Sequence, residues 1–323
     1  MKTEASAVLG PLMVDVGGLE LQPEDRDILR HPLVGGVILF TRNYRDHQQL
    51  KALCDEILSL RDPRLLLAVD HEGGRIQRFR VGFSRIPAMR SYGHRYLEDA
   101  AQAQEDAREA GRAIGSELTA FGIDLCFAPV LDLDHGVSTV IGDRAFSDQA
   151  ETVVELARAF RRGLNDVGMA ATGKHFPGHG AVRADSHVEL PIDRRTEAEI
   201  RATELQPFRA LIEDGIESLM MAHVRYTAVD ETPASLSRKW IRDILRRELG
   251  FGGALFCDDL SMGGAATVGS MEDRARMALA AGCDMLPVCN DRPAVIELLD
   301  ALRSVKPRKT GSARLQRLYR RAV

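Results

Sequence analysis

In LLLAVDHE (residues 65–72), five apolar residues run without interruption into three ionisable ones. A run that short and that uniformly apolar reads as a strand covered on both faces, and its polar end marks where the chain leaves the core. The same pattern recurs in PLMVDVGG (11–18), VGGVILF (34–40), IDLCFAPVLD (123–132), MAATGKH (169–175), ESLMMAHV (217–224), GALFCDD (253–259) and DMLPVC (284–289). Together with 65–70 these make eight runs.

Between them lie segments with apolar residues at helical spacing, among them HQQLKALCDEIL (47–58), EDAREAGRAIGSELTAF (105–121), TVVELARAFRRGL (152–164) and RKWIRDILRREL (238–249). Buried strands alternating with amphipathic helices predict a parallel sheet covered by helices. Eight such units in 323 residues predict an α/β fold built as one (β/α)8 TIM-type barrel over residues 1–323. A doubly wound sheet is the competing reading, but VDVGG after the first strand lacks the G-x-G-x-x-G fingerprint and no Walker A sequence occurs.

A barrel builds its site from loops at the carboxyl ends of its strands. Polar residues gather there: Asp70, His71 and Glu72 after strand three, Asp132 and Asp134 after four, Lys174 and His175 at five, His223 after six, and Asp258 and Asp259 after seven.

Composition narrows the classes further. With 43 basic and 47 acidic residues the net charge is −4, so no global field draws nucleic acid or an anionic membrane. The segment 303–323 is the exception, with eight Lys or Arg and no acid, and reads as a solvated basic tail. Five scattered cysteines without a C-x-x-C pair fit neither a disulfide framework nor a zinc ribbon and point to a reducing cytoplasm. The N-terminus does not read as a signal peptide, and no apolar run approaches the roughly 18 residues of a membrane span.

GKHFPGHGAVRADSH (173–187) carries three histidines, a lysine and an aspartate without helical or strand periodicity. Metal ligation by His175, His179, His187 and Asp185 is one reading. The Phe-Pro-Gly between the first two histidines opposes a shared helical face, so no metal is expected. A serine-elbow hydrolase is excluded by the lack of Gly-x-Ser-x-Gly, and Cys257, inside an apolar run, reads as core. Acid–base chemistry fits better. Asp185, two residues before His187, can fix the tautomer of that imidazole and keep its titration near neutrality, making it a general acid and base. A carboxylate nucleophile would complete a glycosyl-transfer mechanism. Asp258 and Asp259 both qualify, and spacing does not choose between them.

KHFPGHG (174–180), ADSH (184–187) and GFGGALFCDDLSM (250–262) resemble the single-domain bacterial branch of glycoside hydrolase family 3, the NagZ-type β-N-acetylglucosaminidases. The resemblance extends through HPLVGGVILFTRNY (31–44), AVDHEGGRIQRF (68–79), FAPVLDLD (127–134) and AGCDMLPVCN (281–290). It implies a cytoplasmic, retaining enzyme without metal or organic cofactor that removes GlcNAc from GlcNAc-1,6-anhydro-MurNAc peptides in peptidoglycan recycling. It further implies Asp258 as nucleophile, His187 with Asp185 as acid–base dyad, and Asp70, Arg78, Arg144, Lys174 and His175 as sugar-binding residues. His71, Cys257 and Met221 depart from the family's usual glutamine, serine and proline.

A histidine acid–base group repels an incoming anion less than a carboxylate does, which keeps a phosphorylase open as a variant of the mechanism. A barrel that binds amino sugar without turnover is the third reading. Glycines 178 and 180 are expected to free their loop to close over sugar. One tryptophan and five tyrosines suit a short pocket for a terminal sugar, and a monomer is expected.

Overall fold

The computed structural model describes residues 8–183 and 190–321. Eight parallel strands form the centre: β1 (Leu12–Val14), β2 (Val34–Leu39), β3 (Leu66–Val69), β4 (Leu125–Cys126), β5 (Ala170–Phe176), β6 (Ser218–Met221), β7 (Ala254–Phe256) and β8 (Leu286–Val288). Each falls within one of the eight apolar runs, except that β5 extends one residue past its run to Phe176. Their hydrogen-bonded order is β7-β6-β5-β4-β3-β2-β1-β8. A parallel bridge between Phe256 and Met285 brings the two outer strands together. The fold is a single (β/α)8 TIM-type barrel.

Strand alternation sorts the side chains into two apolar layers. Leu66 and Ala68 of β3 point into the barrel, where they meet Met13, Ile38, Phe127, Met220 and Phe256. Leu67 and Val69 belong to the outer layer, packed with Leu50, Leu53 and Ile57 of the helix His47–Ser59. Both layers are buried, which is why these strands read as unbroken apolar runs. Side-chain caps start the crossover helices cleanly: Asp46 accepts from Gln49 N at 2.8 Å, and Asp99 caps Ala100–Ala120 by accepting from Gln102 N at 3.0 Å.

The basic C-terminal segment differs from the solvated tail its composition predicts. Lys309–Gln316 is a helix lying across the amino end of the barrel. Leu315 and Leu318 are buried and join the inner apolar layer, Ser312 Oγ accepts from Leu9 N at 2.9 Å, and Tyr319 OH donates to Arg64 O at 2.5 Å. Arg314, Arg317 and Arg321, together with Arg161 and a single acid, Glu217, line a cavity of about 560 Å³ at this end.

Candidate active site

The carboxyl ends of the strands surround a second cavity of about 360 Å³, at the small end of the roughly 300–1,000 Å³ of ordinary ligand pockets. Asp70, Arg78, Arg144, Lys174, His175 and Asp258 all line it. They come from the ends of three strands, β3, β5 and β7, and from the loops after β3 and β4, so only the barrel brings them together. His187 and Asp185 lie outside the described residues.

Two groups that the sequence reading did not place among the site residues organise this cluster. Glu72, 2% exposed, sits 2.6 Å from Lys174 Nζ and accepts from Arg144 Nε at 2.8 Å and Nη2 at 2.7 Å. Asp70 takes the other side of Lys174 at 2.7 Å and lies 3.4 Å from Arg78 Nη2. Asp70 and Glu72 are two residues apart in extended chain and share a face, which was the available signal. Burial opposes ionisation of Glu72, but the Arg144 guanidinium and Lys174 ammonium outweigh it and hold its carboxyl well below the usual range. The same balance, with Lys174 and Arg78 as the cations, lowers Asp70. Lys174 in turn is raised: its two carboxylates overcome the burial that disfavours its charge.

Asp132 is the second organiser. Buried after β4, it meets His175 Nδ1 at 2.7 Å and accepts from the backbone N–H of His179 at 2.7 Å. With Nδ1 committed to Asp132, the imidazole of His175 has its Nε2 left for the cavity. Burial opposes the charge on Asp132, and His175 more than offsets it, lowering its carboxyl. His179 is driven down to about 4 by burial and by His175.

The two aspartates at the end of β7 both line the cavity and differ in their partners. Asp259 is tied to backbone: its Oδ1 accepts from Ser261 N at 2.9 Å, Ser261 Oγ at 2.8 Å and Cys289 N at 3.1 Å. Burial nevertheless raises its carboxyl to about 6. Asp258 accepts from Asp259 N at 2.9 Å and, like Asp259, lines the cavity together with Arg78, Arg144 and Lys174. His223 is buried behind them, with Nε2 2.9 Å from the Asp259 carbonyl and Nδ1 2.6 Å from Ser235 Oγ. Burial lowers its titration, so it stays neutral and braces this turn.

His71, a departure from the family's usual residue, is fully buried against Phe79 and Phe83. Burial and then Arg78 push its imidazole down to about 4. Cys257 is buried core, as its apolar run predicts. Glycines 178 and 180 are explained by close packing. A Cβ at residue 180 would lie 1.6 Å from Leu133 O, and residue 178 has φ +131° with a Cβ position 2.6 Å from Glu204 Oε2. Any side chain at either position collides with its neighbour, so the glycines fix the loop's base where freedom to close was expected. Among the described residues no group of three or more His, Cys, Asp or Glu is arranged to hold a metal ion, and no helix is long and apolar enough to cross a membrane.

The chain is similar to known proteins over most of its length. The β-hexosaminidase of Thiobacillus denitrificans is 55% identical over 311 residues, covering 96% of this chain and 86% of that protein. The crystal structure of NagZ from Neisseria gonorrhoeae in complex with N-trifluoroacetyl-D-glucosamine superposes with a TM-score of 0.92 at 46% identity, over 97% of this chain and 90% of that one. A family 3 β-N-acetylglucosaminidase from Paenibacillus sp. is more distant, with a TM-score of 0.86 at 35% identity over 95% of this chain and 59% of its own. Residues 9–321 match the model of the glycosyl hydrolase family 3 N-terminal domain, and the chain belongs to that family.

Proposed function

We propose that this glycoside hydrolase of the β-hexosaminidase type is a retaining exo-β-N-acetylglucosaminidase that removes terminal GlcNAc from GlcNAc-1,6-anhydro-MurNAc and its peptides during cytoplasmic peptidoglycan recycling. The observation carrying this reading is a pocket of about 360 Å³ that Asp258 lines together with Asp70, Arg78, Arg144, Lys174 and His175. Asp70 can accept from sugar hydroxyls while the arginines, Lys174 and His175 donate to ring substituents, and one face of the sugar is left to the nucleophile.

In the first step an Asp258 oxygen bonds to the anomeric carbon as the glycosidic C–O bond breaks, and His187 gives its proton to the departing oxygen. In the second, neutral His187 takes a proton from water, the water oxygen bonds to the anomeric carbon, and Asp258 leaves as carboxylate. Two inversions retain the β configuration. Asp185 is the partner that keeps the His187 imidazole in one tautomer. No step calls for a metal or organic cofactor.

The test is release of 4-nitrophenol from its β-N-acetylglucosaminide by wild type and Asp258→Ala, each with and without phosphate. The expected outcome is rapid wild-type turnover indifferent to phosphate and a loss of at least about a hundredfold in the variant. Phosphate acceleration with GlcNAc-1-phosphate as product would replace hydrolysis by phosphorolysis. A folded Asp258→Ala with undiminished activity would refute the nucleophile.

A further inference from the structure

The cavity of about 560 Å³ at the amino end of the barrel is larger than the catalytic one and takes no part in the chemistry above. Its volume is that of an ordinary small-molecule pocket. The turns leading into β5, β6 and β7 wall it, together with part of the C-terminal segment. Ala170 of β5 lines this cavity and Lys174, four residues on, lines the catalytic one, so about 13 Å of strand separates the two.

Four arginines dominate its polar lining, and the carboxylates nearby do not balance them. Arg161 is matched by Glu217, with Nη2 2.7 Å from Oε1 and Nε 3.3 Å from Oε2. Arg314 Nη1 lies 3.4 Å from Asp284 Oδ1, but that carboxylate already accepts from Arg246 Nη2 at 3.0 Å and Leu255 N at 3.1 Å. Arg317 meets a carbonyl, Gly252 O, 3.5 Å from its Nη2, and Arg321 is anchored through its backbone N–H to Gly168 O at 3.0 Å. Among the described residues the ion pairs of this cavity are those of Arg161 and Arg314, and neither Arg317 nor Arg321 has one. Beside them the wall is apolar: Met169, Ile216, Phe251 and Leu318 are buried and line the same cavity. The segment is fastened to the core by Leu315 and Leu318, an attachment that calls for no guanidinium.

We propose that this cavity binds a small organic phosphate, with its charged group on Arg317 and Arg321 and its body on the apolar wall. The planar fork of N–H donors on a guanidinium fits phosphate oxygens in pairs. A phosphomonoester carries about −1.5 to −2 charge at pH 7, enough to answer two unpaired guanidiniums, whereas a carboxylate brings only one. Burial of the body against Phe251 and Leu318 adds an apolar contribution that inorganic phosphate lacks. The inference is independent of the roles given to Asp258 and His187.

Phenyl phosphate, a dianion on an apolar ring, is the probe, and the measurement is isothermal titration with N-acetylglucosamine saturating the catalytic pocket. One molecule per chain is expected to bind with a Kd below about 1 mM, and phenol, the same ring without the charge, at least about tenfold more weakly. The double variant Arg317→Gln/Arg321→Gln should weaken phenyl phosphate at least about tenfold, because it removes both charged donors. Both side chains are exposed, so that variant should keep wild-type turnover of the nitrophenyl substrate and melt within about 2 °C of wild type. Phenyl phosphate that never saturates, that binds wild type no better than phenol, or that binds the folded double variant as tightly as wild type would overturn the inference. So would binding seen only without N-acetylglucosamine, which would put the anion in the catalytic pocket.

Discussion

Replacing Glu72 by Gln removes the anion shared by Lys174 and Arg144 and tests whether these two cations, proposed to bind sugar, are held by buried charge. The carboxylate makes contacts of 2.6, 2.7 and 2.8 Å to these two groups. At an effective dielectric constant near 20 each unit pair is worth about 4 kcal/mol, opposed by the penalty of burying the ions. Removing one member of such a cluster leaves a buried cation short of its partner, and the net cost is about 3–5 kcal/mol. At roughly 2 °C per kcal/mol for a long chain, the variant should melt about 6–10 °C below wild type at pH 7, with a raised KM for the nitrophenyl substrate. The pH dependence has a definite sign. Because the folded-state carboxyl of Glu72 is lowered, its contribution is complete above the unfolded value near 4.3 and is lost only as pH falls through the lower folded value. Thermal scans from pH 8 to pH 4 should therefore keep the gap open down to about pH 5 and narrow it below. A gap under about 2 °C at pH 7 with unchanged KM, or one that has closed by pH 6, would refute the reasoning.

Asp132→Asn keeps the shape around His175 but weakens the partner that fixes its ring, and kcat/KM should fall about tenfold or more while the melting temperature moves less than in the Glu72 variant; unchanged kinetics would remove Asp132 from the site's support. Leu318→Ala opens the fully buried contact between the C-terminal segment and the barrel interior, and a urea titration should report a loss of about 2–5 kcal/mol; a loss under about 0.5 kcal/mol would mean that the segment adds nothing to the core.

Much of the fold is legible in the sequence because a parallel barrel buries its strands on both faces, so each leaves an apolar run with a polar end. The helices announce themselves equally well, and His47–Ser59 coincides with the spacing read over 47–58. Strand ends also draw attention to the pocket, since Asp70, Lys174, His175 and Asp258 sit where such barrels do their chemistry. What local pattern cannot carry is pairing between distant segments. Glu72 and Arg144 are 72 residues apart and Asp132 and His175 are 43 apart, so neither partnership has a sequence period. The difference between Asp258 and Asp259 is likewise set by a turn: Ser261 N and Cys289 N donate to Asp259, whereas Asp259 N donates to Asp258. The C-terminal helix was hidden for a different reason: its exposed face is so basic that two inward-facing leucines carry little weight in composition.

The floor of the barrel is sealed by two segments that are 303 positions apart, joined where Leu9 N meets Ser312 Oγ. During synthesis the eighth strand and then this plug leave the ribosome after the other seven strands. Until they arrive, the inward side chains of β2, β3 and β7 face an unclosed interior, and Phe127 and Phe256, which meet edge to face with ring centroids 5.1 Å apart, lack their lower cover. A chain stalled just past β7 thus already carries most of its catalytic residues but presents an open apolar mouth to the chaperones around it.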